Sequence, residues 1–231
     1  LKRAGYDNLK QSVAKVYEIY QSRLKTADAM DFDDMLCKTV ELFQKIGYNC
    51  DEVINKGRRL ILPIGDNDFE VVLAKAADVI TYVEHGVCDL GVVGKDTILE
   101  NGNSFYELLD LGFGKCRFAL ATKKGTDFYS GYNTKTIATK YPNVTRAFFD
   151  DKNMDVRIIK IEGSVELAPL VGLSDGIVDI VETGSTLKAN GLEVIEWVTE
   201  ISARLIANTA SLKLRKAEIE ELQKKLEAVT K

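Results

Sequence analysis

The sequence predicts an α/β fold, and three observations carry that assignment. From about residue 58 onward, short apolar runs alternate with segments of helical spacing. One of those runs, 176–181 (Gly-Ile-Val-Asp-Ile-Val), ends at a small hydroxyl-rich loop that opens straight into a helix-like segment. The chain is 45% apolar over 231 residues, enough for one or two compact cores.

In chain order, strands are expected at 60–62, 69–73, 90–93, 117–121, 136–138, 156–161, 176–181 and 194–198. Helix spacing lies between them at 77–85, 141–150 and 164–172. At the N-terminus, Leu9, Val13, Val16, Tyr17, Tyr20 and Leu24 mark one face of a helix. At the other end, 211–231 places Ile219, Leu222, Leu226 and Val229 on one face amid alternating charges, the pattern of an amphipathic surface helix. A formal charge of −4 gives no field for nucleic acid or a membrane surface. No apolar run approaches the roughly 18 residues of a membrane span. The polar, charged start is unlike a signal peptide. Cys37, Cys50, Cys88 and Cys116 are scattered without CxxC spacing, which argues against a metal or disulfide framework and fits a reducing cytoplasm. Cys88 and Cys116 read as small core residues. Three prolines and no Ser/Gly-rich tract leave no obvious flexible linker.

The chemistry concentrates at 179–192, Asp-Ile-Val-Glu-Thr-Gly-Ser-Thr-Leu-Lys-Ala-Asn-Gly-Leu. Loop amides, a helix start and the hydroxyls of Thr183, Ser185 and Thr186 make an anion site. Gly184 lets the backbone approach a phosphate closely. Asp179 and Glu182 flank the loop, and carboxylates accept hydrogen bonds from sugar hydroxyls. The pairing points to a phosphorylated sugar. The competing reading is an ordinary strand–turn–helix junction capped by Thr183 or Ser185.

A longer pattern favours the first reading. Glu166, Gly172, Ser174, Ile177, Asp179, Thr183, Gly184, Thr186 and Leu187 resemble the signature of the ATP phosphoribosyltransferase family. Supporting segments are 82–96, 136–145 and 201–208, so the resemblance covers roughly 39–231. It implies two α/β lobes like a periplasmic binding protein, with the active site in the cleft. The expected partition is 39–115 plus 206–231 for lobe I and 116–205 for lobe II. It also implies condensation of ATP with phosphoribosyl pyrophosphate, releasing pyrophosphate, as the first step of histidine biosynthesis. Mg²⁺ would ride on the pyrophosphate, with no metal site of the protein's own. Long forms of the family continue into a histidine-binding domain. This sequence looks like the short form, which implies a regulatory subunit related to histidyl-tRNA synthetase and an oligomeric assembly.

The resemblance assigns Thr183, Gly184, Ser185 and Thr186 to the 5′-phosphate. Asp179, Glu182 and Glu166 are candidates for the ribose hydroxyls. Gly94, Lys95 and Asp96 end a strand and should face the cleft, although Asp96 also reads as a helix N-cap. Lys75 stands where many relatives carry Arg. Arg117 and Lys115 add positive charge at the lobe junction. His85, the one histidine in the chain, reads as a helix-face structural residue.

Residues 1–38 do not fit this family. The 29–36 block, Ala-Met-Asp-Phe-Asp-Asp-Met-Leu, with the preceding helix resembles a segment of UvrD/PcrA-type helicases. No GxxxxGK[ST] loop accompanies it. Asp31, Asp33 and Asp34 read as a helix start and solvated surface. Within the family the chain opens with a strand like Ile-Ala-Leu-Pro-Lys-Gly-Arg, whose basic residues reach substrate phosphates. Here that strand is replaced, with the join within 38–43. Its absence exposes unpaired ladder groups. Two alternatives to a working enzyme follow: a module that binds a phosphorylated ligand without turnover, and an impaired hybrid.

Overall fold

A computed structural model describes residues 32–65, 69–102 and 104–230, together with a few helical positions between 11 and 22. Among those, Val13, Val16 and Ile19 are helical and exposed, while Leu9, Tyr17, Tyr20, Leu24 and Asp31 lie outside the described residues. The fold is α/β and two-lobed, and each lobe carries its own sheet.

The first lobe opens with α1 (Phe32–Lys45) and the short α2 (Asp51–Ile54). A hairpin follows, β1 (Ile61–Ile64) and β2 (Phe69–Val72), as a separate two-stranded sheet. Then come α3 (Ala76–Glu84), β3 (Leu90–Gly94), α4 (Lys95–Asn101) and β4 (Phe105–Asp110). The chain crosses into the second lobe as β5 (Cys116–Lys123). It continues through β6 (Lys135–Thr139), α5 (Pro142–Asp151), β7 (Val156–Lys160), α6 (Leu167–Leu170), β8 (Gly176–Val181), α7 (Ser185–Ala189) and β9 (Leu192–Ile201). It returns as β10 (Ala203–Asn208) and ends in α8 (Thr209–Leu214) and α9 (Lys216–Glu227).

The second lobe's sheet has the order β7-β6-β8-β5-β9. β6 pairs in parallel with both β7 and β8, whereas β5 runs antiparallel to β8 and β9. The first lobe's sheet is β3-β10-β4, with β10 antiparallel to both neighbours. β10 thus holds the place in the first lobe that β5 holds in the second: each arrives from the other lobe, and each lies one strand in from the edge, beside β4 and β9 respectively. β3 is an edge strand, and among the described residues no strand fills the position beside it.

Apolar clusters cover both faces of each sheet. Phe118, Leu120, Ile137, Phe149 and Val178 pack beneath α5, and Ala119, Ala138, Ile177, Val181 and Leu187 pack on the opposite face. In the first lobe, Leu42 of α1 joins Leu205, Leu222 and Leu226, while Ile80, Val83, Val93 and Ile206 fill the other face. The C-terminal segment forms the expected amphipathic surface helix over Lys216–Glu227, with its apolar face turned into the core. It departs only in being preceded by a separate short helix, Thr209–Leu214; Ile219, Leu222 and Leu226 are the buried face. The 164–172 helix shrinks to Leu167–Leu170, with Pro169, which has no N–H to donate, inside it. β4 and β10 were not anticipated as strands.

Candidate active site

Side chains alternate across β8, so Ile177, Asp179 and Val181 share one face. Ile177 and Val181 sink into the cluster with Ala119 and Leu187. Asp179 sits between them, and burial lifts its carboxyl to about 6. The Ile180 amide and Lys140 oppose that rise, while the negative charge of Glu166 adds to it.

Beyond β8 the chain turns through Gly184, whose φ of +69° is left-handed. A Cβ there would meet only Val181 Cγ1 at 3.8 Å, so the demand for glycine is conformational rather than steric. The Thr183 and Ser185 hydroxyls lie 2.9 Å apart, and the Ser185 amide donates weakly back to Thr183 Oγ1 at 3.4 Å. Thr183, Ser185 and Thr186 are exposed. The loop therefore presents three hydroxyls to solvent at the carboxyl end of a parallel strand, where ligands of open α/β sheets bind.

The first lobe contributes the β3–α4 junction. Asp96 folds back over Gly94, where a Cβ would lie 2.1 Å from Asp96 Oδ1. Any larger residue at 94 would displace that carboxylate. Burial raises the Asp96 carboxyl, against hydrogen bonds from its own and the Thr97 amide and the charge of Lys140. Lys95 turns the other way, into an ion pair with Glu107.

Two residues that the sequence did not single out join the halves. Tyr141 hydrogen-bonds Asp96, feels the charge of both Asp96 and Asp179, and packs edge-on against Phe118 with ring centres 4.8 Å apart. Burial first, and then these acids, push its phenol well above the ordinary range. Thr139 holds it there: its buried hydroxyl donates to the Val178 carbonyl at 2.7 Å and accepts the Tyr141 amide at 2.9 Å. The neighbouring Lys140 acts electrostatically on both acids. One turn beyond Asp96 on α4, the Glu100 carboxylate accepts the Asn143 and Val144 amides at 3.0 and 3.2 Å. A first-lobe side chain thus caps a second-lobe helix that has no capping side chain of its own.

A cavity of about 410 Å³ opens where the lobes join. Lys115, Cys116 and Arg117 line the outgoing crossover, Glu200, Ile201 and Ser202 the returning one, and Glu182 reaches it from the end of β8. Burial pushes the Cys116 thiol to about 11, so it is no nucleophile at neutral pH. Arg117 stacks over Trp197 at 3.7 Å from the ring centre. Lys75 is exposed just before α3, and Glu166 immediately precedes α6. His85 is exposed at the end of α3, with its ring nitrogen 2.9 Å from the Thr81 carbonyl. Electrostatic coupling links Asp179 to Glu166 and, through Lys140 and Tyr141, to Asp96; Glu182 and Arg117 line the cavity between the lobes, and Lys95 is paired with Glu107.

The HisG family model, ATP phosphoribosyltransferase, matches residues 75–228. The chain belongs to the ATP phosphoribosyltransferase family. Relatives of that name from Clostridium kluyveri and Clostridium novyi are 59% and 56% identical, covering 82% and 80% of this chain and 87% and 88% of theirs. A match of 190 residues in a chain of 231 begins no later than about residue 42. A second model, UvrD/REP helicase N-terminal domain, matches residues 2–62, so the two likenesses overlap from α1 to β1. Among solved structures, the ATP phosphoribosyl transferase (HisG:HisZ) complex from Thermotoga maritima gives a TM-score of 0.70 at 34% identity, over 84% of this chain and 92% of that one. The periplasmic aliphatic sulphonate binding protein SsuA from Escherichia coli, at 10% identity and a TM-score of 0.50 over 69% of this chain and 61% of that one, shares the two-lobed fold alone.

Proposed function

We propose that this chain is an ATP phosphoribosyltransferase. It joins N1 of the ATP adenine to C1 of phosphoribosyl pyrophosphate and releases pyrophosphate. The observation that carries the proposal is the β8–loop–α7 junction, with its left-handed glycine, three presented hydroxyls and a half-buried carboxylate. Family membership supplies the reaction.

Thr183, Ser185 and Thr186, with the amides around Gly184, bind the 5′-phosphate. Asp179 and Glu182 accept hydrogen bonds from the ribose hydroxyls, and Glu166 closes that side. As the C1–pyrophosphate bond lengthens, positive charge develops on the ribosyl ring, and the carboxylates beside it stabilise that charge. Asp96 and Tyr141 hold the two lobes in register across the site, which is the positioning that such catalysis chiefly needs. Mg²⁺ carried by the pyrophosphate would neutralise the charge of the leaving group. The scheme assigns no role to residues 1–38, which resemble a helicase segment where the family carries its basic opening strand. Turnover is therefore weaker than in an intact relative.

A regulatory partner completes the proposal. The Thermotoga relative was solved as a HisG:HisZ complex, and this chain spans 92% of the matched chain. A histidyl-tRNA-synthetase-like subunit is the partner expected here, in a cytoplasmic assembly. Following phosphoribosyl-ATP formation by absorbance, with and without that subunit, tests both parts. Histidine inhibition of this chain alone would overturn the partner assignment, and absence of product in both arms would overturn the enzymatic one.

A further inference from the structure

Asp96 and Glu100 stand four residues apart on α4, so both carboxylates leave the first lobe on one face of that helix. The face meets the end of β6 and the start of α5 in the second lobe. The Tyr141 hydroxyl donates to Asp96. The Asn143 and Val144 amides donate to the Glu100 carboxylate at 3.0 and 3.2 Å, and Asn143 Nδ2 donates to the Glu100 carbonyl at 2.9 Å. The two lobes thus exchange caps. The Glu100 carbonyl lies in the last turn of α4, where helical amides run out. The amides of Asn143 and Val144 lie in the first turn of α5, which opens with Tyr141 and Pro142 and has no capping side chain of its own. Each helix end is satisfied from the other lobe.

The covalent links between the lobes lie elsewhere. The chain crosses through 111–115, between β4 and β5, and returns through Ser202, between β9 and β10. Gly112 and Gly114 in the first link are left-handed, with φ of +74° and +64°. β3, which leads into α4, lies on the far side of β10 from β4, and β6 lies two strands from β5. At the usual strand spacing the contact therefore stands about 10 Å from the links. Contacts on that arm set the angle between the lobes. Burial raises the Glu100 carboxyl above its ordinary value, against its two amides, Lys160 and Arg146. Closing the lobes desolvates a charge, and the hydrogen bonds offset that cost. The contact is therefore shallow enough to open.

We propose that Glu100 is a positioning residue for the reaction: with Asp96 and Tyr141 it forms a two-point clasp that holds the lobes closed over the β8–α7 loop. This rests on the reading above that phosphoribosyl pyrophosphate binds between the lobes. Glu100 touches no substrate in that scheme. It acts through α5, whose tethered first turn keeps Tyr141 against Asp96. With the clasp broken the closed form becomes a minor state, and the apparent affinity for the ligand falls by the fraction that remains closed.

Size-exclusion-coupled X-ray scattering of the unliganded chain reads the lobe angle without catalysis. Glu100→Ala should enlarge the radius of gyration relative to wild type, and phosphoribosyl pyrophosphate with Mg²⁺ should bring it back. Glu100→Gln keeps an acceptor for the α5 amides and should lie between the two. Asn143→Ala, which spares the carboxylate, should move the same way by less. Titration calorimetry should show binding of that ligand weakened roughly three- to tenfold in Glu100→Ala, with KM raised by a similar factor and kcat changed less. A cap that only stabilises α5 would lower Tm and leave scattering and affinity alone. Should Glu100→Ala unfold, Glu100→Gln and Asn143→Ala carry the test. Unchanged scattering and unchanged affinity in folded variants would overturn the proposal. A wild type that fails to bind the ligand would instead strike the reading of the site, and the scattering comparison would still decide the clasp.

Discussion

Asp179→Asn should stabilise the fold at alkaline pH while weakening phosphoribosyl pyrophosphate binding. Burial holds the folded-state carboxyl near 6, against 3.8 when exposed. The folded chain therefore holds that proton more tightly than the unfolded chain does. Its contribution to stability is full below pH 3.8 and is lost as pH rises through about 6. Above that, wild type carries a desolvated charge between Ile177 and Val181, and the neutral amide removes it while keeping the shape. The gap between the two values corresponds to about 3 kcal/mol at most. Partial exposure and Lys140 bring the expected gain to about 1–2 kcal/mol, or roughly 2–8 °C in Tm for a chain of this size. Scanning calorimetry of both proteins at pH 4 and pH 8 is the assay. A gain at pH 8 that vanishes at pH 4 is expected. An equal shift at both pH values, or a loss at pH 8, would refute the burial argument.

Glu100→Ala should cost about 1 kcal/mol, because the amides of Asn143 and Val144 lose the Glu100 carboxylate and α5 loses its cap. Chemical denaturation should show it, and Glu100→Gln should recover part of the loss. Leu226→Ala should cost about 2–5 kcal/mol, since its side chain is 1% exposed in the first-lobe core. A cost near zero would contradict the burial of that helix's apolar face. Grafting a family-type strand and basic loop in place of residues 1–37 should raise turnover by orders of magnitude, given about 2–5 kcal/mol per charged phosphate contact. Equal rates before and after would show that the present N-terminus already compensates.

The second lobe was legible because its signals are local. The run 176–181, the glycine at 184 and the apolar alternation each need only a few residues to state themselves. Tyr141 was hidden because its neighbour is Pro142, and the pair reads as a helix start. Its contact with Asp96 exists only once two lobes meet, and no spacing in the sequence encodes that. Glu100 is the same case: an acid on an amphipathic helix, whose partner amides lie 43 and 44 residues away. β10 was missed as a strand because its Ala-Arg-Leu-Ile-Ala-Asn run lacks alternation, as befits a central strand covered on both faces. The amphipathic pattern of the C-terminal segment was legible, but not what its apolar face covers. The apolar face of α9 was visible, but the sheet it covers is built from strands more than a hundred residues earlier and from β10.

The central claim is that the loop at 183–186 binds the phosphate of phosphoribosyl pyrophosphate. Isothermal titration of that ligand with Mg²⁺, against wild type and Gly184→Val, tests it most directly. A branched residue at φ +69° strains the turn and fills the phosphate space, so wild type should bind and the variant should lose at least about tenfold in affinity. Equal affinity in the two proteins, with the variant folded, would contradict the assignment.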